Sequence, residues 1–148
     1  LMDKAKMDRE AEELIRGYLV ACDGNDAYMR TLSGGNMQKV ITARECSSHP
    51  KILIASQPTR GIDVGATEFI RKRLVELRDQ GAAILLFSAD LAEVMQVSDR
   101  ILVFHGGQIV AHIPKVDEID ENLLGEYMLG IRKQSAEEIG GAVLESHN

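Results

Sequence analysis

Two short apolar runs, separated by one helix-length segment, most constrain the fold of this chain. Residues 51–55 (Lys-Ile-Leu-Ile-Ala) and 83–87 (Ala-Ile-Leu-Leu-Phe) have the length and apolar character of strands buried on both faces. Between them Asp63 can cap a helix with an apolar stripe over 69–77, and Gly81 is placed to end that helix. This order predicts parallel strands joined by a crossover helix, so the fold class is α/β.

The segments before these runs are predicted to be helical. Apolar spacing indicates a helix over roughly residues 3–17, and Ser33 can cap a second helix with Met37, Val40 and Ile41 on its inner face. Because a parallel sheet that starts with so few strands is thin, we expect its missing strands to be encoded upstream of Leu1.

The segments after the two runs predict a hairpin between two helices. A short helix is expected near 91–95, followed by strands over 100–104 and 108–113 that the turn His105-Gly106-Gly107 connects. A last amphipathic helix is expected over 123–131, and a frayed tail over 132–148.

Composition excludes several classes of protein. The chain has 148 residues, about one domain, and its net charge of −6 disfavours a general binder of nucleic-acid phosphates. Its longest apolar run, 82–87, is far shorter than the roughly 18–20 residues of a membrane-spanning helix. Cys22 and Cys46 indicate reduced thiols; the alternative is a disulfide between them in an oxidising compartment. The four histidines have no metal-ligand spacing, so no metal site is expected.

The segment Leu32-Ser33-Gly34-Gly35-Asn36 is the most informative for chemistry. A Ser and two glycines at the start of a helix place a hydroxyl, unobstructed N–H groups and a positive dipole end at one point. This combination can bind an anion such as a phosphate. The alternative is a loop that ends in an ordinary Ser N-cap.

Further segments follow this motif in a fixed order: 37–40, 43–45, 52–66, 87–94, 98–101 and 106–110. Together they closely resemble the ATP-binding subunits of ABC transporters, in which they are the signature motif, the Walker B strand, the D-loop, the switch region and a terminal hairpin. The sequence of residues 57–66 (Gln-Pro-Thr-Arg-Gly-Ile-Asp-Val-Gly-Ala) is most similar to that of the second nucleotide-binding half of bacterial sugar and nucleoside importers.

The resemblance implies a truncated P-loop NTPase domain of the ABC ATPase type. A helical signature lobe, with part of the helical subdomain, would occupy residues 1–48. The C-terminal part of the α/β core, a partial parallel sheet with helices and a terminal hairpin, would occupy 49–131. Residues 132–148 would form a tail.

The resemblance also implies which residues contact nucleotide. In the family two halves dimerise head to tail, so that the signature of one half closes over ATP held by the other. The residues expected to contact ATP in trans are Leu32, Ser33, Gly34, Gly35, Asn36, Gln38 and Asp63. Gln38 can alternatively be a plain helix-face residue, and Asp63 can cap its helix as well as serve in the D-loop.

Three departures from the family indicate that this half does not hydrolyse ATP by itself. No Gly-Lys dipeptide occurs, so the phosphate loop is missing. Ser56 and Gln57 replace the family's Asp-Glu pair, and Ala89 replaces the switch histidine. These positions are therefore degenerate catalytic positions, since an amide cannot accept a proton from water at neutral pH.

The resemblance thus predicts the C-terminal fragment of an importer ATP-binding subunit that couples ATP hydrolysis to transport of sugars or nucleosides. ATP and Mg²⁺ would be held mainly by a partner nucleotide-binding domain, and none is expected on this chain alone. Membrane permease subunits, and indirectly a substrate-binding protein, would be the further partners, at the cytoplasmic face of a bacterial membrane, without nucleic acid. The alternatives are a soluble ABC ATPase acting on nucleic acid or ribosomes, and an interaction module without a nucleotide role.

Overall fold

A computed structural model describes residues 3–145. The chain divides into two compact units, Leu1–Phe87 and Ser88–Asn148. The first unit contains helices α1 (Lys4–Gly17), α2 (Gly34–Ser47) and α3 (Val64–Asp79), strands β1 (Ile52–Ser56) and β2 (Ala83–Phe87), and a 3-10 turn at Met29–Thr31.

The predicted strand-helix-strand arrangement is confirmed in the first unit. Strands β1 and β2 pair in parallel, from Ile52 opposite Ala83 to Ser56 opposite Phe87, and α3 is the crossover between them. Asp63 caps α3, and Gly81 adopts a φ of +97° just beyond its end, a conformation that favours glycine. Local sequence therefore sets both ends of the crossover helix.

One face of α3 forms the apolar interior of this unit. Ile70 is fully buried, and Leu74 and Leu77 are nearly so. On α2, Ala43 and Cys46 are buried. The prediction that Ile41 faces inward is wrong, because this side chain is 39% exposed. The buried face of α2 is instead made of small residues, which permit close approach to α3.

The prediction that both strands are buried on both faces is also wrong for the described structure. Ile52 and Ile54 on β1 are 70% and 66% exposed, and Leu85 and Phe87 on β2 are about half exposed. The register places these four side chains on one face of the two-stranded sheet. The sequence encodes an apolar run, but burial depends on a second layer against that face.

A cluster of cations and rings fastens the end of α1 to α2 and α3. The Arg73 guanidinium lies 4.9 Å from the centroid of the Tyr18 ring and 5.2 Å from that of Phe69, and it donates to the carbonyl of Gly17. Lys39 Nζ lies 5.1 Å from the Phe69 centroid and donates to the carbonyl of Leu19 at 3.1 Å. These contacts fix the path of the chain as it leaves α1.

The second unit contains α4 (Leu91–Val97), β3 (Ile101–His105), β4 (Gln108–Ile113), α5 (Glu121–Met128) and α6 (Ala136–Glu145), with a 3-10 turn at Val116–Glu118. Strands β3 and β4 pair antiparallel, which confirms the predicted hairpin. Gly106 and Gly107 both have positive φ, as a two-residue hairpin turn requires. Leu124 and Tyr127 of α5 pack with buried residues of the hairpin.

The expectation of a frayed tail over 132–148 does not hold for helix α6. Ser135 begins this helix, because its Oγ accepts from Glu138 N at 3.2 Å while Glu138 Oε2 accepts from Ser135 N at 2.6 Å. This reciprocal pair is a capping box, and the pattern Ser135-x-x-Glu138 is its signal in the sequence. Residues 146–148 lie outside the described part of the chain.

Candidate nucleotide-contact site at the start of α2

Ser33 caps α2 as the sequence predicts. Its backbone is extended, with φ −65° and ψ 159°, and its Oγ accepts from Asn36 N at 3.3 Å. Its carbonyl accepts from Met37 N at 2.8 Å and starts the helical hydrogen bonds. Since Asn36 N is satisfied by Ser33, the N–H groups of Gly34 and Gly35 remain as first-turn donors without an acceptor inside the helix.

The two glycines that follow Ser33 lie in different surroundings. Gly34 is exposed, and a Cβ on it would come no closer than 4.0 Å to Gly61 O and Ile62 Cγ2. Gly35 is buried, and a Cβ on it would lie 2.6 Å from Asp63 Oδ2 and 2.9 Å from Ala66 Cβ. The first glycine therefore leaves the backbone accessible, whereas the second permits α2 to pack on the start of α3.

Asp63 brings the starts of α2 and α3 together. Its Oδ1 accepts from Ala66 N at 2.9 Å, and its Oδ2 is the oxygen next to Gly35. The predicted N-cap role is confirmed by this hydrogen bond. The juxtaposition with Gly35 was not predicted, since no local pattern relates positions so far apart in the chain.

Leu32, Asn36 and Gln38 lie around this point. Leu32 is half-buried and its N–H donates to Met29 O at 3.1 Å, closing the 3-10 turn. Asn36 Nδ2 donates to Ser33 Oγ at 3.0 Å, and Asn36 Oδ1 accepts from Ala21 N at 2.9 Å. Gln38 is half-buried on α2, where its carbonyl accepts from Thr42 Oγ1 at 2.8 Å.

Ser56 and Gln57 lie at the carboxyl end of β1. Ser56 is the last residue of the strand and is exposed. Gln57 has a φ of +50°, its N–H donates to Phe87 O at 2.8 Å, and its carbonyl accepts from Arg60 N at 3.2 Å. A left-handed non-glycine residue stores about 1–3 kcal/mol, so the chain turns sharply here under strain. Turn residues after the strand are expected from the sequence, but the left-handed backbone at Gln57 is not.

Ala89, the third position predicted to be degenerate, belongs to the second unit. It is exposed and immediately precedes Asp90, whose Oδ1 caps α4 by accepting from Glu93 N at 3.0 Å. Asp90 N in turn donates to Ser88 Oγ at 3.0 Å. Ala89 therefore lies in a turn that local hydrogen bonds organise.

The chemistry of these groups fits a phosphate better than a metal. At the start of α2 a hydroxyl, glycine N–H groups and the positive end of a 14-residue helix coincide. At the end of β1, Ser56 and Gln57 supply no carboxylate, so they do not fit the oxygen ligands that Mg²⁺ prefers. Among the residues that the structure describes, no cluster of three or more His, Cys, Asp or Glu could hold a metal ion.

None of the helices within residues 3–145 has the length and apolar character needed to span a membrane.

Curated relatives match nearly the whole chain. The guanosine import ATP-binding protein of Bacillus subtilis is 44% identical over 141 residues, 95% of this chain and 28% of that protein. The nucleoside import ATP-binding protein of Lactococcus lactis is 46% identical over 129 residues, 87% of this chain and 25% of that protein. The ribose import ATP-binding protein of Bacillus licheniformis is 37% identical over 123 residues, 83% of this chain and 25% of that protein. The chain thus spans about a quarter of the length of these relatives.

Solved structures of other proteins have a fold similar to that of this chain. An ATP-binding cassette of an ABC transporter superposes with a TM-score of 0.71 over 88% of this chain and 51% of its own, at 24% identity. A dimeric cassette in a post-hydrolysis state with ADP and Pi superposes with a TM-score of 0.67 over 78% and 50%, at 23% identity. No family model matches the chain. The fold and the capped Ser-Gly-Gly helix define a portion of an ABC ATPase domain.

Among ABC ATPases, the sequence identity to the curated relatives shows to which family the chain belongs. The chain belongs to the ATP-binding subunits of sugar and nucleoside ABC importers.

Proposed function

We propose that the start of α2 closes on the terminal phosphate of ATP held by a second nucleotide-binding domain, and that this contact couples ATP hydrolysis to import of a sugar or nucleoside. The observation that carries the proposal is the geometry of Ser33. Its hydroxyl is exposed at a helix N-terminus, where the dipole and the following glycine N–H groups favour a negative ligand.

The proposal assigns the chain an unequal pair of composite sites. Ser33, Gly34 and Gly35 would complete the site whose ATP and Mg²⁺ the partner domain holds, with Asp63 at the junction of α2 and α3. The chain's own site would be inactive, because Ser56 and Gln57 offer neither a carboxylate for Mg²⁺ nor a base for water, and Ala89 offers no hydrogen bond.

The relatives support the wider assignment. Their names describe import of guanosine, nucleosides and ribose, so we assign the cargo of the complete protein to sugars or nucleosides. Membrane permease subunits would receive the motion of the two domains, with a substrate-binding protein acting upstream. The protein would then lie peripherally at the cytoplasmic face of the membrane.

The test compares two substitutions at Ser33 in the complete ATP-binding subunit assembled with its partner domain. Ser33→Asp keeps an efficient N-cap but places a negative charge against the phosphate. Ser33→Arg fills the contact with a long side chain. We expect each to lower ATP turnover and transport by about 10²-fold or more, in the range found when a transition-state hydrogen-bond donor is removed.

Two controls separate this effect from general damage. Ser47→Asp adds the same charge at the other end of α2, where Ser47 is exposed, and should leave turnover within about twofold because the charge is screened at that distance. Gln57→Ala should also have little effect, since its site is proposed to be inactive. Greater loss from Gln57→Ala than from Ser33→Asp would refute the proposal.

A simpler measurement uses the chain alone. Titration with Mg-ATP at micromolar concentrations should give no binding and no phosphate release, because the chain carries no phosphate loop. Robust turnover by the purified chain would contradict the assignment.

A further inference from the structure

We propose that Asn36 is a positioning residue that directs the Ser33 hydroxyl proton toward the bound phosphate; this rests on the function proposed above. Asn36 and Ser33 are three residues apart at the start of α2, so their side chains lie on the same side of the helix. The inference comes from how the hydrogen bonds of the two side chains are distributed.

The Ser33 oxygen accepts two hydrogen bonds from one residue. Asn36 N lies 3.3 Å from Ser33 Oγ, and Asn36 Nδ2 lies 3.0 Å from it. A hydroxyl oxygen has two lone pairs and one O–H donor. Because both lone pairs face Asn36, the proton must point away from the helix. Ser33 is exposed, so the proton is directed to a ligand that approaches from outside.

The amide of Asn36 is held in this orientation by a third group. Its Oδ1 accepts from Ala21 N at 2.9 Å, a contact across 15 residues of sequence. With the oxygen facing Ala21, the Nδ2 group must face Ser33. The same amide could not reverse without setting its Nδ2 donor against the Ala21 N–H donor.

Ala21 lies on a segment that is itself fixed. The preceding Val20 is buried, and its N–H donates to Ile15 O at 3.0 Å. The Leu19 carbonyl accepts from Lys39 Nζ at 3.1 Å. The hydrogen-bond path from Ala21 through Asn36 to Ser33 therefore joins the segment that follows α1 to the Ser33 hydroxyl. Asn36 acts on the nucleotide through Ser33, not by direct contact.

The decisive experiment is a double-mutant cycle in ATP turnover by the complete subunit with its partner domain. Ser33→Ala should lower kcat by about 10²-fold. Asn36→Ala should lower it by about 3- to 10-fold, the worth of one oriented hydrogen bond. In the double variant, Asn36→Ala should add no further loss, because its effect passes through the Ser33 hydroxyl. Additive losses would overturn the positioning role.

A matched control is available at Asn25. The side-chain amide of this residue joins a loop to α1, since Asn25 Nδ2 donates to Asp8 Oδ1 at 3.2 Å. Asn25→Ala should leave kcat within about twofold. A loss as large as that of Asn36→Ala would mean that the loss of any side-chain amide contact in this region has this effect, and would overturn the proposal.

A second readout is independent of nucleotide and uses the 148-residue chain itself. Amide hydrogen exchange at Ala21, followed by NMR, should accelerate in Asn36→Ala and stay unchanged in Asn25→Ala. Unchanged exchange at Ala21 in a folded Asn36→Ala variant would show that the hydrogen bond from Ala21 N does not hold the Asn36 amide, and would overturn the proposal. If circular dichroism shows that Asn36→Ala unfolds, Asn36→Asp replaces it in the turnover measurement. This variant should leave exchange at Ala21 unchanged, because its Oδ can still accept from Ala21 N, and it should lower kcat, because it cannot donate to Ser33 Oγ.

These experiments distinguish a failure of the proposed phosphate contact at Ser33 from a failure of the positioning role of Asn36. If Ser33→Ala leaves turnover unchanged, the proposed phosphate contact fails, whatever Ala21 does. If Ser33→Ala lowers turnover and Asn36→Ala does not, the phosphate contact stands and the positioning role is overturned.

Discussion

Asp63 Oδ2 occupies the space that a Cβ on Gly35 would need, at a separation of 2.6 Å. The same carboxylate caps α3 through its other oxygen, which accepts from Ala66 N at 2.9 Å. The Asp63 side chain therefore caps the start of α3 and also packs against the start of α2. The absence of a side chain at Gly35 is therefore a packing requirement.

Gly35→Ala should destabilise the protein by about 1–3 kcal/mol, the usual cost of overpacking. The added methyl meets Asp63 Oδ2 and Ala66 Cβ, so either the cap of α3 or the packing of α2 must yield. Urea denaturation followed by circular dichroism measures the change. Gly34→Ala is the matched control, because its methyl meets nothing closer than 4.0 Å, and it should change stability by less than about 0.5 kcal/mol. Equal losses in the two variants would contradict this packing account.

Arg73→Lys should cost about 0.5–2 kcal/mol, although it conserves charge. Arg73 lies over both Tyr18 and Phe69, and its Nη1 pairs with Glu76 Oε2 at 2.8 Å. A lysine ammonium group is not planar, so it cannot stack on a ring and at the same time donate hydrogen bonds in the fixed, forked geometry of a guanidinium. The midpoint of urea unfolding checks the change.

The neighbouring Lys72 provides the control for this prediction. Its Nζ lies 3.9 Å from Glu76 Oε1 and its side chain is largely exposed. Lys72→Ala should change stability by no more than about 0.5 kcal/mol, as is usual for an exposed ion pair. A larger effect at Lys72 than at Arg73 would contradict the stacking account.

Stability should decrease as the pH rises above about 9, because of Cys46 and Tyr18. Burial raises the pKa of the Cys46 thiol above its ordinary 9.0, and burial together with the neighbouring Cys46 raises the pKa of Tyr18 above its ordinary 10.0. A raised pKa in the folded state means that the unfolded state loses its proton first. The stabilisation that these two protonated groups give the folded state is therefore fully present below their unfolded-state pKa values. It is lost as the pH rises through their folded-state pKa values.

Urea unfolding measured between pH 7 and pH 11, about two units on each side of the ordinary thiol pKa, tests this expectation. Cys46→Ala should flatten the decrease above pH 9, whereas Cys22→Ala, at the chain's other thiol, should leave it unchanged. A profile that Cys46→Ala does not alter would exclude the thiol as its cause.

Local signals allowed much of the architecture to be predicted. The predicted caps Ser33 and Asp63 each accept from an N–H three residues later. Asp90 and Asp120 cap their helices in the same way, although they were not predicted to. Such a cap depends on residues within one turn, so the sequence reveals it directly. The hairpin at Gly106 and Gly107 is local in the same sense, because positive φ at both positions favours glycine.

Burial was predicted less well. Ile52 and Ile54 have the apolar character of core strand residues, yet they lie on an exposed face of β1. Ile41 was predicted to face inward, but α2 turns smaller residues such as Ala43 toward α3. An apolar side chain is buried only if another layer covers it, and periodicity within one segment does not identify that layer.

The sequence by itself determined the chemistry at position 33: a hydroxyl, two glycines and a helix start follow from consecutive residues. It also determined the missing carboxylates at Ser56 and Gln57. Only the tertiary structure decided that Asp63 would press against Gly35 and that Ala21 would orient Asn36, because both contacts join segments that are distant along the chain. The physical reason is that a cap is satisfied within one helical turn, whereas a packed or bridged contact depends on how separate helices come together.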